Sequence, residues 1–141
     1  MLKRICPLFA VVCLAAAFAQ QPPQLRLPVT VAPVRYTAEL TIMPTQETFS
    51  GTIDIALNVR EATPLIWLNA KDLTIEAASL TAGGNALAAR VVPGGTDFVG
   101  FAFEQPVPMG EATLHVVYSG KISSRSSEGI FRNKVADEWW R

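Results

Sequence analysis

The stretch that decides the fold is FSGTIDIALNVR, residues 49–60. Apolar and polar residues alternate along it with a period of two, which is the pattern of a β-strand with one face in a core and the other in solvent. Gly51 falls on the core-facing side, where a glycine predicts either a β-bulge or a close approach of another part of the chain. The residues predicted to point into the core are Phe49, Ile53, Ile55, Leu57 and Val59, and those predicted to point outward are Ser50, Thr52, Asp54, Asn58 and Arg60.

Similar patterns lie on both sides of this stretch. Residues 65–68 are apolar on both faces, which predicts a central strand that is covered on both sides. No stretch after residue 20 shows a helical stripe, so the predicted fold is all-β, with antiparallel sheets arranged as a meander or a sandwich. A half-buried strand is predicted at 36–42, with Tyr36, Ala38, Leu40 and Ile42 facing inward. Further strands are predicted at 73–77, 98–103 and 112–118, with glycine turns at 83–85 and 94–95.

The N-terminus predicts a signal peptide over residues 1–19. Lys3 and Arg4 precede an apolar run that ends on Ala17-Phe18-Ala19, the small-x-small pattern that signal peptidase cleaves. The alternative is an uncleaved membrane anchor, but the run is shorter than the ~20 residues that span a bilayer. We therefore expect a helical signal that is cleaved after Ala19, export to the periplasm or the extracellular space, and a proline-containing linker at residues 20–25.

The composition excludes several kinds of chemistry. Both cysteines, Cys6 and Cys13, lie inside the predicted signal, so the exported chain would hold no disulfide and no reactive thiol. The 12 basic and 12 acidic residues balance, and no basic patch points to nucleic acid. His115 is the one histidine of the sequence and falls on the outward side of its strand, whereas zinc needs three or four protein ligands.

The remaining polar and aromatic groups also fit a structural role. Asp137-Glu138 suits a turn or a solvated edge better than a metal site. The sequence therefore predicts no catalytic, no cofactor-binding and no metal-binding residue in this chain. A polar loop is predicted around Arg125, formed by Ser123, Ser124, Ser126 and Ser127. Core positions rather than a ligand platform are predicted for the aromatic residues Trp67, Tyr36 and Tyr118.

Five segments, taken in order, resemble the N-terminal β domain of aminopeptidase N-like zinc metallopeptidases. They are RLPVTVAPVRYTAELTI (26–42), FSGTIDIALNV (49–59), TPLIWLNAKDLTIEAASL (63–80), YSGKI (118–122) and GIFR (129–132). The sequence departs from the family at Asn69, where histidine is common. It also departs at Ile130 and Asn133, where the family has an aromatic residue and serine. The resemblance implies a saddle-like β-sandwich over residues 26–141, built from antiparallel sheets.

The resemblance also implies that catalysis belongs to a thermolysin-like domain elsewhere in the parent protein. In the family a Gly-x-Met-Glu-Asn stretch recognises the amino terminus of a peptide, and a His-Glu-x-x-His helix with a later glutamate binds zinc, which activates the attacking water. None of these motifs occurs in the 141 residues. We therefore expect a non-catalytic fragment of an exported zinc metallo-aminopeptidase, whose partner is the missing catalytic domain. We expect no nucleic-acid partner and, after signal cleavage, no stable membrane anchor.

The expected fragment is incomplete at its C-terminus, because the family's β domain continues for several strands. A strand that begins near Trp139 would then lack a pairing partner and leave an apolar edge exposed. The alternative is a free-standing secreted β-sandwich that binds a partner through this edge.

Overall fold

The computed structural model describes residues 21–43, 45–125, 127, 129–135 and 138–140, and the predicted signal peptide at 1–19 lies outside this range. The described residues form strands, turns and irregular segments without a helix, so none of them forms a helix long and apolar enough to cross a membrane. In chain order the strands are β1 (Val31–Ile42), β2 (Thr48–Val59), β3 (Thr63–Asn69), β4 (Leu73–Ala82), β5 (Asn85–Ala88), β6 (Arg90–Gly94), β7 (Phe98–Val107), β8 (Gly110–Lys121), β9 (Asn133–Val135) and β10 (Glu138–Trp140).

The strands form two main antiparallel sheets and a separate hairpin. The large sheet has the order β1-β2-β8-β4-β5, the small sheet has the order β3-β7-β6, and β9 pairs with β10. All neighbouring strands are antiparallel. The prediction of an all-β fold with antiparallel sheets is therefore confirmed.

The core lies between the two main sheets and contains side chains from both. Phe101 on β7 is fully buried, and so are Leu80 on β4 and Leu114 on β8. The inward set predicted for β2 is confirmed at Phe49, Ile55, Leu57 and Val59, which are all buried, while Ile53 is half-buried. The small sheet contributes Ile66, Val99, Phe101, Phe103 and Val107 to the same cluster.

Gly51 allows a close approach on the inner face of the large sheet. It pairs with Leu40 on β1 and Tyr118 on β8 without a break in register, so the bulge alternative is wrong. A Cβ atom at Gly51 would lie 2.8 Å from the Glu39 carbonyl oxygen, 2.9 Å from Leu40 Cδ2 and 3.0 Å from Tyr118 Cζ. The Leu40 and Tyr118 side chains therefore close over the glycine.

The predicted burial of β1 is wrong, although its alternation is regular. Tyr36 is 57% exposed, Leu40 50% and Ile42 39%. β1 is an edge strand of the large sheet, and the buried core comes from β2, β4 and β8 on this sheet. Tyr36, Leu40 and Ile42 therefore lie on the inner side of the sheet, but the small sheet leaves them largely exposed.

The prediction that residues 65–68 form a central strand is also wrong, because β3 is an edge strand of the small sheet. Both faces of β3 are apolar because Trp67 packs over neighbouring glycines on the outer face. Trp67 pairs with Gly100 and lies on the face opposite the core residues Val99 and Phe101. A Cβ atom at Gly100 would come within 2.9 Å of the indole, and one at Gly94 within 2.7 Å. The Trp67 ring thus lies over two glycines and is only 6% exposed.

The strand near Trp139 has a pairing partner on one of its edges, and its other edge has none among the described residues. In β10 Trp139 pairs with Lys134 and Trp140 pairs with Asn133, both in β9. Neither β9 nor the short strands β5 and β6 were predicted from the sequence. The glycine turns are confirmed, since Gly83, Gly84 and Gly95 have positive φ angles of 55°, 80° and 81°.

Candidate functional site

His115 lies on the outer face of the large sheet, as predicted, and pairs with a carboxylate. Its Nδ1 atom is 2.7 Å from Oδ1 of Asp54, which lies directly opposite it on β2. The two side chains are 43% and 53% exposed. Ser79 on β4 faces His115 from the other side, so a serine, a histidine and an aspartate share one row across the sheet. The row is open to water, which weakens the electrostatic stabilisation that catalysis requires, and we assign it no catalytic role.

The contact between His115 and Asp54 was not predicted from the sequence. The two residues are 61 positions apart, and both were predicted to point outward. Their meeting depends on the register of β2 against β8, which periodicity alone does not give. Both side chains are well exposed, and exposed polar or ionic pairs typically contribute less than about 1 kcal/mol to stability.

The polar loop after β8 is held by structural contacts. The backbone N–H of Ser123 donates to the Ile130 carbonyl at 2.9 Å, and the N–H of Arg132 donates to the Ser123 carbonyl at 2.8 Å. Nη2 of Arg132 donates to Oε1 of Glu47 at 2.6 Å, which joins the loop to the segment before β2. Ser126 and Asp137 lie outside the described residues. The described contacts thus support the interpretation of this region as a structural loop.

A zinc site does not fit the part of the chain that the structure describes. Within it, no three His, Cys, Asp or Glu side chains are close enough together to hold a metal ion. Zinc in proteins takes three or four such ligands, and the pair of His115 and Asp54 supplies two. The described residues therefore provide no metal centre.

One cavity of the sandwich is a mainly apolar trough. It is a cavity of about 220 Å³ between the two main sheets. From the large sheet it is lined by Tyr36, Ile53, Ile55, Leu73, Ile75, Val116 and Tyr118, from the small sheet by Leu68, Asn69, Val99 and Phe101, and from segments outside the strands by Leu27 and Ala70. The inner side chains of β1, which are Tyr36, Ala38, Leu40 and Ile42, continue the trough toward the edge of the sheet, and we call them the β1 strip.

The sequence of the sandwich matches a known family. The model of the peptidase M1 N-terminal domain matches residues 32–138. This range includes β1 from its second residue, all of β2 to β9, and the first residue of β10. The chain belongs to the peptidase M1 N-terminal domain family. The resemblance found in the five sequence segments is thereby confirmed.

Related proteins also support the assignment of the chain to this family. Aminopeptidase M1-D of Oryza sativa subsp. japonica is 32% identical over 121 residues, which are 86% of this chain and 14% of the rice protein. Glutamyl aminopeptidase of Bos taurus is 36% identical over 50 residues, which are 36% of this chain and 5% of the bovine protein. The M1 N-terminal domain described here thus spans a small share of the curated relatives that it matches.

Solved structures share the fold of this M1 N-terminal domain. A two-domain M1 zinc metallopeptidase carrying an E323A substitution and bound to L-tryptophan has a TM-score of 0.55 at 20% identity, covering 73% of this chain and 23% of that chain. The M1 zinc metallopeptidase of Deinococcus radiodurans has a TM-score of 0.53 at 21% identity, covering 69% of this chain and 22% of that chain. At these identities the similarity shows a common fold.

Proposed function

We propose that this chain is the N-terminal, non-catalytic domain of an exported zinc metallo-aminopeptidase, and that the catalytic domain of that enzyme is its partner. The observation that carries the proposal is the family match over residues 32–138. Two further observations support it, because relatives in rice and cattle are aminopeptidases and because the chain covers only 14% and 5% of their lengths. The remaining length of such an enzyme is where a catalytic domain would lie.

The role of this domain in the proposed enzyme is structural. The described residues hold no group of three metal ligands, so zinc in the parent enzyme would be bound by other parts of the protein. When bound there, zinc would activate the water that attacks the peptide bond. The residues of this chain would contribute a rigid β-sandwich and a surface against which the catalytic domain packs.

A chimera tests the proposal directly. Residues 20–141 would replace the matching segment of rice Aminopeptidase M1-D, and we expect a folded enzyme that releases N-terminal residues from peptides in a zinc-dependent manner. The reason is that this segment supplies scaffold and no reacting group. Steady-state cleavage of aminoacyl substrates, with and without a chelator, provides the measurement.

Two controls accompany the chimera. A His115→Ala version should keep the activity, because His115 lies on the open outer face of the sheet. The 141-residue chain alone should retain no stoichiometric zinc after dialysis. If the chimera fails to fold while the chain alone forms a stable domain, the free-standing secreted binding module becomes the better explanation.

The exported location is a separate part of the proposal. Lys3-Arg4, the apolar run and Ala17-Phe18-Ala19 support a signal that is cleaved after Ala19. We expect N-terminal sequencing of the product from a secreting host to begin at Gln20. A product that retains Met1 and sediments with the membrane would contradict export and would favour an anchored form.

A further inference from the structure

A cavity larger than the trough lies at one end of the large sheet, with a volume of about 980 Å³. Three segments meet there, namely the turn between β3 and β4, the end of β8 and the loop that follows β8. The strand register brings them together, because Leu73 at the start of β4 pairs with Gly120 near the end of β8. Open cavities of this size are typical of sites for small molecules.

The charged side chains around this cavity are mainly basic. In the turn, the charges of Lys71 and Asp72 balance each other. Lys121 at the end of β8 and Arg125 in the loop also line the cavity, and both are exposed. The described lining residues therefore carry a surplus of two positive charges, in a chain whose basic and acidic residues balance overall. A local surplus of this sign favours an anion.

Backbone contacts hold the loop that carries Arg125. The N–H of Ile122 donates to the Glu47 carbonyl at 2.7 Å, and the N–H of Ser123 donates to the Ile130 carbonyl at 2.9 Å. The N–H of Arg125 itself donates to Oγ of Ser123 at 3.3 Å. The backbone of the loop is thus ordered before a ligand arrives, which lowers the entropic cost of binding.

The inner part of the cavity is apolar. Phe49 and Ile122 line it and are buried, whereas Lys121 is exposed and lies at the rim. The Phe49 ring lies against Gly120, where a Cβ atom would come within 2.5 Å of two ring carbons. Leu73 also lines this apolar floor. The cavity therefore combines an apolar floor with a basic rim.

We propose that this cavity, which we call the cationic pocket, binds a small organic anion with an apolar body, such as a medium-chain carboxylate. The apolar body covers Phe49 and Ile122, and the negative group lies at the rim beside Lys121 and Arg125. The site goes beyond the scaffold role proposed above, and it requires neither a metal nor the catalytic domain.

The physical properties of the pocket call for both parts of the ligand. Opposite charges at an exposed rim attract each other only weakly, because water and salt screen them. An inorganic anion would therefore gain little from Lys121 and Arg125. A neutral apolar molecule would gain from covering the floor and nothing from the rim. A carboxylate on an alkyl chain gains from both.

Titration of the isotope-labelled 141-residue chain with octanoate, followed by NMR, tests the proposal. We expect saturable shifts of the backbone amides at residues 119–125. Octanol and octylammonium have the same alkyl chain without the negative charge, and each should bind at least about threefold more weakly than octanoate. Inorganic phosphate has the charge without the alkyl chain and should also bind more weakly.

Charge variants test the rim. Lys121→Gln and Arg125→Gln should each weaken octanoate binding by about twofold to fivefold and leave octanol binding unchanged. Asp72→Asn removes the one carboxylate of the described lining and should strengthen octanoate binding. Arg35→Gln is the matched control, because Arg35 lies on β1 and does not line the pocket. Added salt should weaken the binding of octanoate only.

Several outcomes would overturn the proposal. Equal affinity for octanoate, octanol and octylammonium would show that the negative charge is not recognised. Octanoate affinity that none of the rim variants changes would exclude Lys121 and Arg125 from the site. Shifts confined to trough residues such as Ile53 and Val116 would place the ligand in the trough instead. Phosphate binding as tight as octanoate binding would contradict the apolar part of the site.

Discussion

Replacing Phe101 by alanine is expected to lower the free energy of unfolding by about 3–5 kcal/mol. Phe101 is fully buried on β7, the middle strand of the small sheet, and packs in the cluster that joins the two sheets. Its removal leaves a cavity that the surrounding strands cannot close completely. Since small domains unfold with about 5–15 kcal/mol in total, this single change removes much of the stability. Urea denaturation followed by circular dichroism gives the measurement.

The matched control for this prediction is Phe131→Ala. Phe131 is 36% exposed and lies in the segment after β8, outside the core cluster. The same deletion of a ring should therefore cost much less there. If Phe101→Ala and Phe131→Ala destabilise the chain equally, the core is not built between the two sheets as described.

Replacing Trp67 by alanine is expected to cost a similar amount, about 3–5 kcal/mol. The indole is 6% exposed on the outer face of β3, and it covers Gly94 and Gly100. Without the ring, the backbones of β6 and β7 lose their apolar cover on this side. The change should lower the melting temperature and the urea midpoint while leaving the strand content at low temperature intact.

A double-mutant cycle with Gly100 tests the geometry behind this second prediction. Gly100→Ala alone should cost about 1–3 kcal/mol, because its methyl group would lie 2.9 Å from the indole and force the ring to move. In the Trp67→Ala background the same methyl group should cost less, since the indole is gone and the close contact that remains is with Leu65 Cδ1 at 3.1 Å. Additive effects of the two changes would mean that the ring does not lie over Gly100.

The sequence predicted strands better than it predicted what covers them. β2 was read correctly, because its alternating residues divide between a core and water. β1 alternates just as clearly, yet its inner side chains are exposed, since periodicity reports the side on which a residue lies and not whether another layer covers it. The apolar run in β3 suggested a central strand, but a tryptophan over two glycines produces the same pattern at an edge.

The missed features depend on length and register. β5, β6 and β9 contain only four, five and three residues, which is too short for a period of two to stand out. The partner of His115 required the register of strands that are far apart in sequence. No catalytic residue was predicted, because the motifs that carry catalysis in the resembling family do not occur in this sequence.

The strand order of the large sheet has a consequence for how the chain folds during translation. In the large sheet β8 lies between β2 and β4. Both β2 and β4 are synthesised before β8, so they cannot be joined in the sheet until β8 is available. Joining β2 to β8 brings together residues 61 positions apart, as in Asp54 and His115, and long-range pairing of this kind is slow. A nascent chain that ends before residue 110 therefore presents the apolar sides of β2 and β4 to the surrounding proteins. Until β8 has left the ribosome, such a chain is exposed to aggregation through these apolar sides.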